Sequence, residues 1–373
     1  MKNPNPNISM NISSAYIVAS IDDILIQILL HLPLKPIHRL KSVSKHWKSL
    51  ISSPEFRLIR TLAPVSFSGL IFQMFDHAYV VDFTIPRFSS FRELTFSSDT
   101  DWEMKILNSC GGLFLCVDTL QDYYICNPTT EKHSKIPSPV FRSCSINGMC
   151  LAFDPSKSPH YRVVCVMGCR DVFKLFMVYS SETGSWGKYS NHRAVIDIDD
   201  FNGGVYWNGS IHWISNHKCG ESIYFNTIDY DARCKVMPTP PIIGENGRYF
   251  GESCDHLHYI NPQKIGFGYD MLDVYEMRRD YSEWFVTYKV DIRNALRRCW
   301  FDGVSVYALV RGKDDGVDEG SFLVLKIGKR IVRYEIVSRS FETIYDYGVE
   351  NGGVYPDLFK APPFQYIESL SSV

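Results

Sequence analysis

The sequence is poor in the motifs that would commit it to a reaction. Its 373 residues contain no Gly-x-Ser-x-Gly nucleophile elbow and no phosphate-binding loop. Gly266-Phe267-Gly268 lacks the third glycine and the following helix that a dinucleotide site needs. The 11 cysteines are odd in number and form no CxxC pair, which argues against a disulfide framework and leads to the expectation of reduced thiols in the cytoplasm or nucleus. No apolar run approaches the ~20 residues that span a bilayer: residues 24–34 are too few and contain Gln27 and His31. The first twenty residues have no apolar core flanked by bases, so no secretory signal is expected. A formal charge of −2 gives no reason to expect nucleic acid or an anionic membrane as a partner. The one basic stretch, Lys35, Arg39, Lys41, Lys45 and Lys48, reads as a solvated helix face.

What is present divides unequally. Residues 1–19 read as a disordered tail and residues 20–60 as a small all-α module. In that module Ile24, Leu25, Ile28, Leu29 and Leu32 recur at helical spacing behind Asp22 and Asp23, which suit a helix N-terminus. Pro33 stops this helix, Pro36 opens a second with Ile37, Leu40 and Val43, and Trp47, Leu50 and Ile51 extend the apolar face. Ser53-Pro54-Glu55 is an N-cap signal for a last turn with Phe56 and Ile59.

Residues 61–373 are mainly β: short runs rich in Val, Ile, Tyr, Phe and Trp between Gly, Pro, Asn and Asp. Asn208-Gly209 between Val205-Tyr206-Trp207 and Ser210-Ile211-His212-Trp213 predicts a type I′ hairpin. A strand with an aromatic residue or cysteine followed by a polar turn recurs around Cys126, Tyr179, Tyr230, Tyr275 and Tyr334, at steps of 53, 51, 45 and 59 residues. That is near the ~40–50 residues of known propeller blades. With a weaker unit at Tyr79-Val80-Val81-Asp82, the count is six blades. Each small sheet has two apolar faces it cannot bury alone, so the blades stack radially, and Phe364-Gln365-Tyr366-Ile367 is expected to complete the first.

The search for chemistry in this region yields little. Cys254, His256 and His258 alternate along one strand face, but alternate side chains stand ~7 Å apart, too far to share one zinc without bending, so no metal site is expected. Asp197, Asp199 and Asp200, and Asp314, Asp315, Asp318 and Glu319, read as solvated loops. Cys165 and Cys169 have no identifiable base to activate them. No catalytic residue and no cofactor are expected.

Two sets of residues carry a resemblance. Asp22-Asp23-Ile24-Leu25, Ile28-Leu29, Leu32-Pro33, Arg39, Val43-Ser44-Lys45, Trp47 and Leu50-Ile51 resemble an F-box. Asn127-Pro128-Thr129-Thr130, Leu151-Ala152-Phe153-Asp154-Pro155, Gly204-Val205-Tyr206-Trp207-Asn208-Gly209 with His212-Trp213, and Tyr366-Ile367-Glu368-Ser369-Leu370 resemble the kelch-like F-box-associated propeller of plant F-box proteins. The resemblance implies a non-catalytic substrate receptor of an SCF-type cullin–RING ubiquitin ligase: the F-box docks on a Skp-type adaptor and propeller loops hold a target protein. It implies adaptor contacts at Ile21, Ile24, Leu25, Ile28, Leu32, Pro33, Leu34, Leu40, Val43 and Trp47, with Leu29, Leu50 and Ile51 packed internally. Ser20-Ile21 stands where the family carries Leu-Pro, which implies weakened adaptor binding. The loops at residues 191–200, 242–256 and 311–320 are the target-binding candidates. A propeller enzyme with a fused helical module, and a scaffold independent of the ligase, are the alternatives.

Overall fold

The computed structural model describes residues 21–32, 34–53, 55–56, 59–60, 67–74, 77–83, 91–94, 104–139, 144–169, 173–192, 198, 201–215, 220–229, 233–241, 248–265, 268–293, 304–312, 320–346 and 361–373. The 1–19 tail, Pro33 and both acidic loop clusters lie outside them. The chain forms two compact units, Met1–Ala63 and Pro64–Val373. Among the described residues no helix is long and apolar enough to cross a membrane.

The first unit contains α1 (Asp22–Leu30), α2 (Leu34–Leu40) and α3 (Lys45–Ser52). Asp22 and Asp23 occupy the first turn of α1, where carboxylates offset the unpaired N–H groups. Asp22 Oδ1 also stands 3.0 Å from His46 Nε2, tying α1 to α3. Ser44 caps α3 by accepting the Trp47 N–H at 3.1 Å. The expected cap at Ser53 forms too, accepting the Phe56 N–H at 3.1 Å. Arg60 donates to the carbonyl oxygen of Leu30, which α1 leaves open at its C-terminal end, and to that of Leu32 just beyond it.

The second unit is a six-bladed β-propeller, each blade a four-stranded antiparallel sheet. Blade 1 holds β1 (Phe67–Met74), β2 (His77–Asp82) and β3 (Phe91–Leu94). Blade 2 is β4 (Met104–Cys110), β5 (Leu113–Asp118), β6 (Tyr123–Asn127) and β7 (Lys132–Ile136). Blade 3 is β8 (Cys144–Ala152), β9 (Arg162–Cys169), β10 (Phe173–Ser180) and β11 (Ser185–His192). Blade 4 is β12 (Val205–Trp207), β13 (Ser210–Trp213), β14 (Ser222–Asn226) and β15 (Lys235–Met237). Blade 5 is β16 (Tyr249–Ser253), β17 (His256–Ile265), β18 (Gly268–Met277) and β19 (Trp284–Asp291). Blade 6 is β20 (Val304–Val310), β21 (Phe322–Ile327), β22 (Arg330–Glu335) and β23 (Phe341–Asp346), and β24 (Phe364–Ile367) returns to blade 1.

The apolar residues of each sheet are buried against the next blade. Ile71 and Val80 of blade 1 pack with Phe114 and Cys126 of blade 2, and Phe176 of blade 3 with Trp213 and Phe225 of blade 4. Leu70 and Phe72 of blade 1 share a core with Val306 and Leu323 of blade 6, so the ring is closed. β24 pairs antiparallel with β1 through Leu70↔Gln365 and Ile71↔Phe364, the completion of the first blade that the sequence predicts.

The Asn-Gly hairpin forms as expected, with Asn208 and Gly209 at φ 47° and 74° and Trp207 paired to Ser210. The recurring strand falls on the third strand from the centre in every blade except the fourth. There Ile228 and Asp229 already follow the strand, and Tyr230 lies outside the described residues, so the true counterpart is Phe225-Asn226 on β14. One cysteine also departs from the expected thiols: Cys144, which faces Cys169 in the β8–β9 register, is disulfide-bonded. Cys110, Cys116, Cys126, Cys150, Cys165, Cys234 and Cys254 are free.

Candidate functional site

The helical module offers one candidate surface. Successive residues advance about 100° around a helix, which puts Ile21, Ile24 and Ile28 on one face of α1 and Leu25 and Leu29 on the next. The two faces have opposite fates. Ile24 and Ile28 are 42% and 45% exposed, whereas Leu25 and Leu29 are 1% and 0%. Ile21 and Val43 are exposed too, while Leu32, Leu40 and Trp47 are half-buried. Leu25 and Leu34, expected on the docking face, are instead buried, as are Leu29 and Ile51, and Leu50 is half-buried. Ser20 and Pro33 lie outside the described residues.

The propeller offers a second. Its innermost strands enclose a channel of about 500 Å³, lined among others by Asn108, Tyr206, Tyr249, Glu252, Tyr307 and Gln365. At one end it widens into a mouth of about 1050 Å³, lined by the turns between the first and second strands of the blades. Phe67 and Phe83 stack in this mouth at 5.3 Å, and Phe322 meets Phe67 edge-on at 6.4 Å. The candidate loops at residues 191–200, 242–256 and 311–320 lie in part outside the described residues; of their described parts, Glu252 to Asp255, Arg311, Gly312 and Gly320 line the mouth, and Tyr249–Ser253 is strand rather than loop.

The cationic side chains of the mouth are already paired. Lys157 Nζ stands 2.8 Å from Asp154 Oδ2, and Arg333 Nε donates to Glu335 at 2.6 Å while its guanidinium lies 3.7 Å over the Phe322 ring. Arg311 Nη1 reaches Glu276 Oε2 at 3.0 Å. Asp255 pairs with Arg279. Glu252 has no cationic partner among the described residues; its Oε1 accepts the Asp255 N–H at 2.6 Å. Burial pushes its carboxyl up to about 7, the Asp255 amide pulling down and the Asp255 and Asp154 charges adding to the rise.

His256 and His258 share a strand face, as alternation requires, but they converge on a carboxylate. Glu276, opposite His258 in the β17–β18 register, lies 2.6 Å from His256 Nδ1 and 3.7 Å from His258 Nε2 and accepts from Thr287 Oγ1 at 3.1 Å. Cys254 sits apart, in the turn at φ 50°. Among the described residues no group of His, Cys, Asp and Glu could hold a metal ion. Burial would raise the Glu276 carboxyl, but its hydrogen-bonded contact with His256, with the His258 ring beyond it, holds it well below the usual carboxylate range, while burial lowers the His258 imidazole. A depressed carboxyl stabilises the fold fully above its unfolded value of ~4.3 and loses this contribution as pH falls through the lower folded one. Replacing Glu276 by Gln leaves Arg311 buried without its counter-charge. The expected cost is about 3 kcal/mol in urea unfolding at pH 7, with a flatter acid limb; a loss below ~1 kcal/mol would contradict the role given to Glu276. Burial pushes the Cys165 thiol up to about 12, which favours its unreactive protonated form.

The F-box domain family matches residues 22–59, and the KIB1-4 beta-propeller family matches residues 83–309. The chain is 30% identical to "F-box protein At5g07610" of Arabidopsis thaliana, over 97% of this chain and 94% of that protein. It is 26% identical to "F-box protein At5g49610" of the same plant, over 92% and 95%. The chain belongs to the F-box proteins with a KIB1-4 beta-propeller. An F-box joined to a propeller is in general the make-up of an SCF substrate receptor, and F-box proteins are in general non-catalytic adaptors.

In this KIB1-4 propeller the four motifs that carry the propeller resemblance have structural work. Asn127 Nδ2 donates to the carbonyl oxygens of Ser369 and Ser371 at 3.0 and 2.8 Å, while its Oδ1 accepts the Thr129 and Thr130 N–H groups. Thr129 Oγ1 accepts the Ser369 N–H at 3.1 Å. The first and last motifs are thus two halves of one latch that holds the final segment across blade 2. Asp154 organises its own turn by accepting from Ser156 N and Oγ at 3.0 and 2.6 Å. Trp213 Nε1 donates to the Phe201 carbonyl at 3.0 Å, and a Cβ at Gly204 would fall 2.5 Å from that nitrogen, so only glycine fits there.

Proposed function

We propose that this F-box protein is the substrate receptor of an SCF-type cullin–RING ubiquitin ligase. Its F-box docks on a Skp-type adaptor through Ile21, Ile24 and Ile28 of the α1 face and Val43, with the half-buried Leu32, Leu40 and Trp47 at the margin, and its propeller holds a target protein. The observation that carries this reading is the exposed row on α1: a folded module that already buries Leu25, Leu29, Ile37, Ile51 and Phe56 still leaves isoleucines in water. Exposed contiguous aliphatic surface of this kind belongs to an interface. No residue of the chain performs chemistry in this reading. The contribution to ubiquitin transfer is proximity, since a held target presents its lysines at high effective concentration.

The test compares the intact chain with one lacking residues 22–59, each purified from cells with the proteasome blocked. The Skp-type adaptor is expected with the intact chain alone, and a true target with both. Without the block, the target is expected to accumulate only alongside the deletion. Absence of the adaptor from the intact chain, with its propeller folded, would sink the assignment.

A further inference from the structure

The mouth of the channel combines three things: a cavity of about 1050 Å³, an aromatic wall, and one carboxylate with no cation paired to it among the described residues. The wall includes Phe67, Phe83, Phe153 and Phe322. Its cations are satisfied by the pairs Lys157–Asp154, Arg311–Glu276 and Arg333–Glu335. Glu252 lines the mouth and the channel alike, and holds a backbone N–H rather than an opposite charge. The two other cations of the channel wall, Lys105 and Arg248, lie toward the opposite end of β4 and β16. At ~3.3 Å per residue they stand roughly 13–16 Å along the strands from the mouth.

We propose that the channel mouth is the pocket that captures a basic side chain of the target, arginine before lysine, with Glu252 as its counter-charge. A guanidinium suits the lining better than an ammonium because it stacks on aromatic faces and meets a carboxylate through two parallel N–H groups. The protein already shows this geometry within itself, in the Arg333 guanidinium lying over Phe322. Among the described residues an acidic ligand would meet only cations that are already paired, and would add a charge next to Glu252, Asp154 and Asp255. The proposal deepens the receptor reading by giving the target a chemistry, and it rests on that reading for the word target.

Binding of a cation should also move a proton. The groups facing Glu252 are Tyr249 on its own strand, Asp255 and His256 across the β16–β17 turn, Asp154 from blade 3 and Cys110 from blade 2. None of these brings a full positive charge to it unless His256 is protonated, and His256 is bound to Glu276 at 2.6 Å. An arriving guanidinium would favour the ionised carboxylate, so protons leave as the ligand binds.

The experiment titrates the full chain by calorimetry at pH 7 with capped Gly-Arg-Gly, Gly-Lys-Gly and Gly-citrulline-Gly peptides, in two buffers of different ionisation enthalpy. The arginine peptide is expected to bind at least tenfold more tightly than its neutral citrulline isostere, with proton release, and the lysine peptide to fall between them. Glu252→Gln is expected to erase both the preference and the proton release. Equal binding of the arginine and citrulline peptides, or binding by neither, overturns the proposal using the unchanged chain alone, so a poorly folded variant does not blunt the test. A preference that survives Glu252→Gln overturns the role of Glu252. Adaptor capture by the same preparation is scored separately: a chain that binds the adaptor but not the arginine peptide refutes the pocket and leaves the receptor reading standing, and the converse refutes the receptor reading.

Discussion

Removing residues 361–373 is expected to abolish cooperative unfolding of the propeller at room temperature. The segment supplies β24, the inner strand of blade 1, and with it Tyr366, which is fully buried. Losing a buried aromatic side chain costs about 3–5 kcal/mol, and each hydrogen bond forfeited by β1 and by Asn127 about 1 kcal/mol more. Their sum approaches the ~5–15 kcal/mol that holds a domain of ordinary stability together. The deletion also leaves Leu70, Ile71 and Phe72 beneath an open sheet edge, so aggregation should accompany unfolding. Thermal melts followed by circular dichroism, with limited proteolysis alongside, read the result. Asn127→Ala is the milder companion, expected to cost about 2–3 kcal/mol by leaving Ser369 and Ser371 without their donor. A truncated chain that melts within ~5 °C of the parent would mean that β24 only decorates the ring, since 1 kcal/mol moves a large domain by a few degrees.

Ile24→Asp combined with Ile28→Asp is expected to weaken binding of a recombinant Skp-type adaptor by at least about 100-fold. Burying an isoleucine is worth ~1.5–3 kcal/mol, so two give 3 kcal/mol or more, and each 1.4 kcal/mol is tenfold. Because both side chains already face water, the melting temperature and the propeller should be untouched. Leu25→Asp makes the contrast: at 1% exposure it should unfold the module itself. Surface plasmon resonance against immobilised adaptor separates the cases, and full binding by the double variant would remove α1 from the interface.

That contrast marks where the sequence is legible and where it stops. The repeat period, the Asn-Gly hairpin and the closing strand all follow from local pattern, because turns and strand alternation are written in neighbouring residues. The partition of the α1 stripe is not. Ile24 and Leu25 differ by one position and by about 100° around the helix, and both satisfy an amphipathic pattern; only the packing of α2 and α3 decides which is covered. Glu276 escaped for another reason. It belongs to a strand marker chosen for Tyr275, and its role appears only when β17 and β18 pair and bring His258 opposite it. Glu252 falls inside the 242–256 candidate loop but is not singled out there, since a lone glutamate between Gly251 and Ser253 reads as surface until the strands are arranged around a channel. The fourth blade shows the limit of counting: a marker displaced past β14 kept the blade number intact while shifting its register.

The latch between Asn127 and the 366–371 segment also orders events in time. A chain leaves the ribosome from its N-terminus, so the F-box helices emerge before the propeller and β24 emerges after the other described strands, at ~5–20 residues per second. Until it arrives, blade 1 waits without its inner strand and the ring has a seam. On the receptor reading proposed above, chains interrupted between blade 1 and β24 would occupy the adaptor without holding a target, competitors of the intact protein rather than weaker copies of it. Placing the closing strand after blades 2 to 6 means that the ring can close only once all six blades have been made, and chains that lack β24 keep an exposed seam.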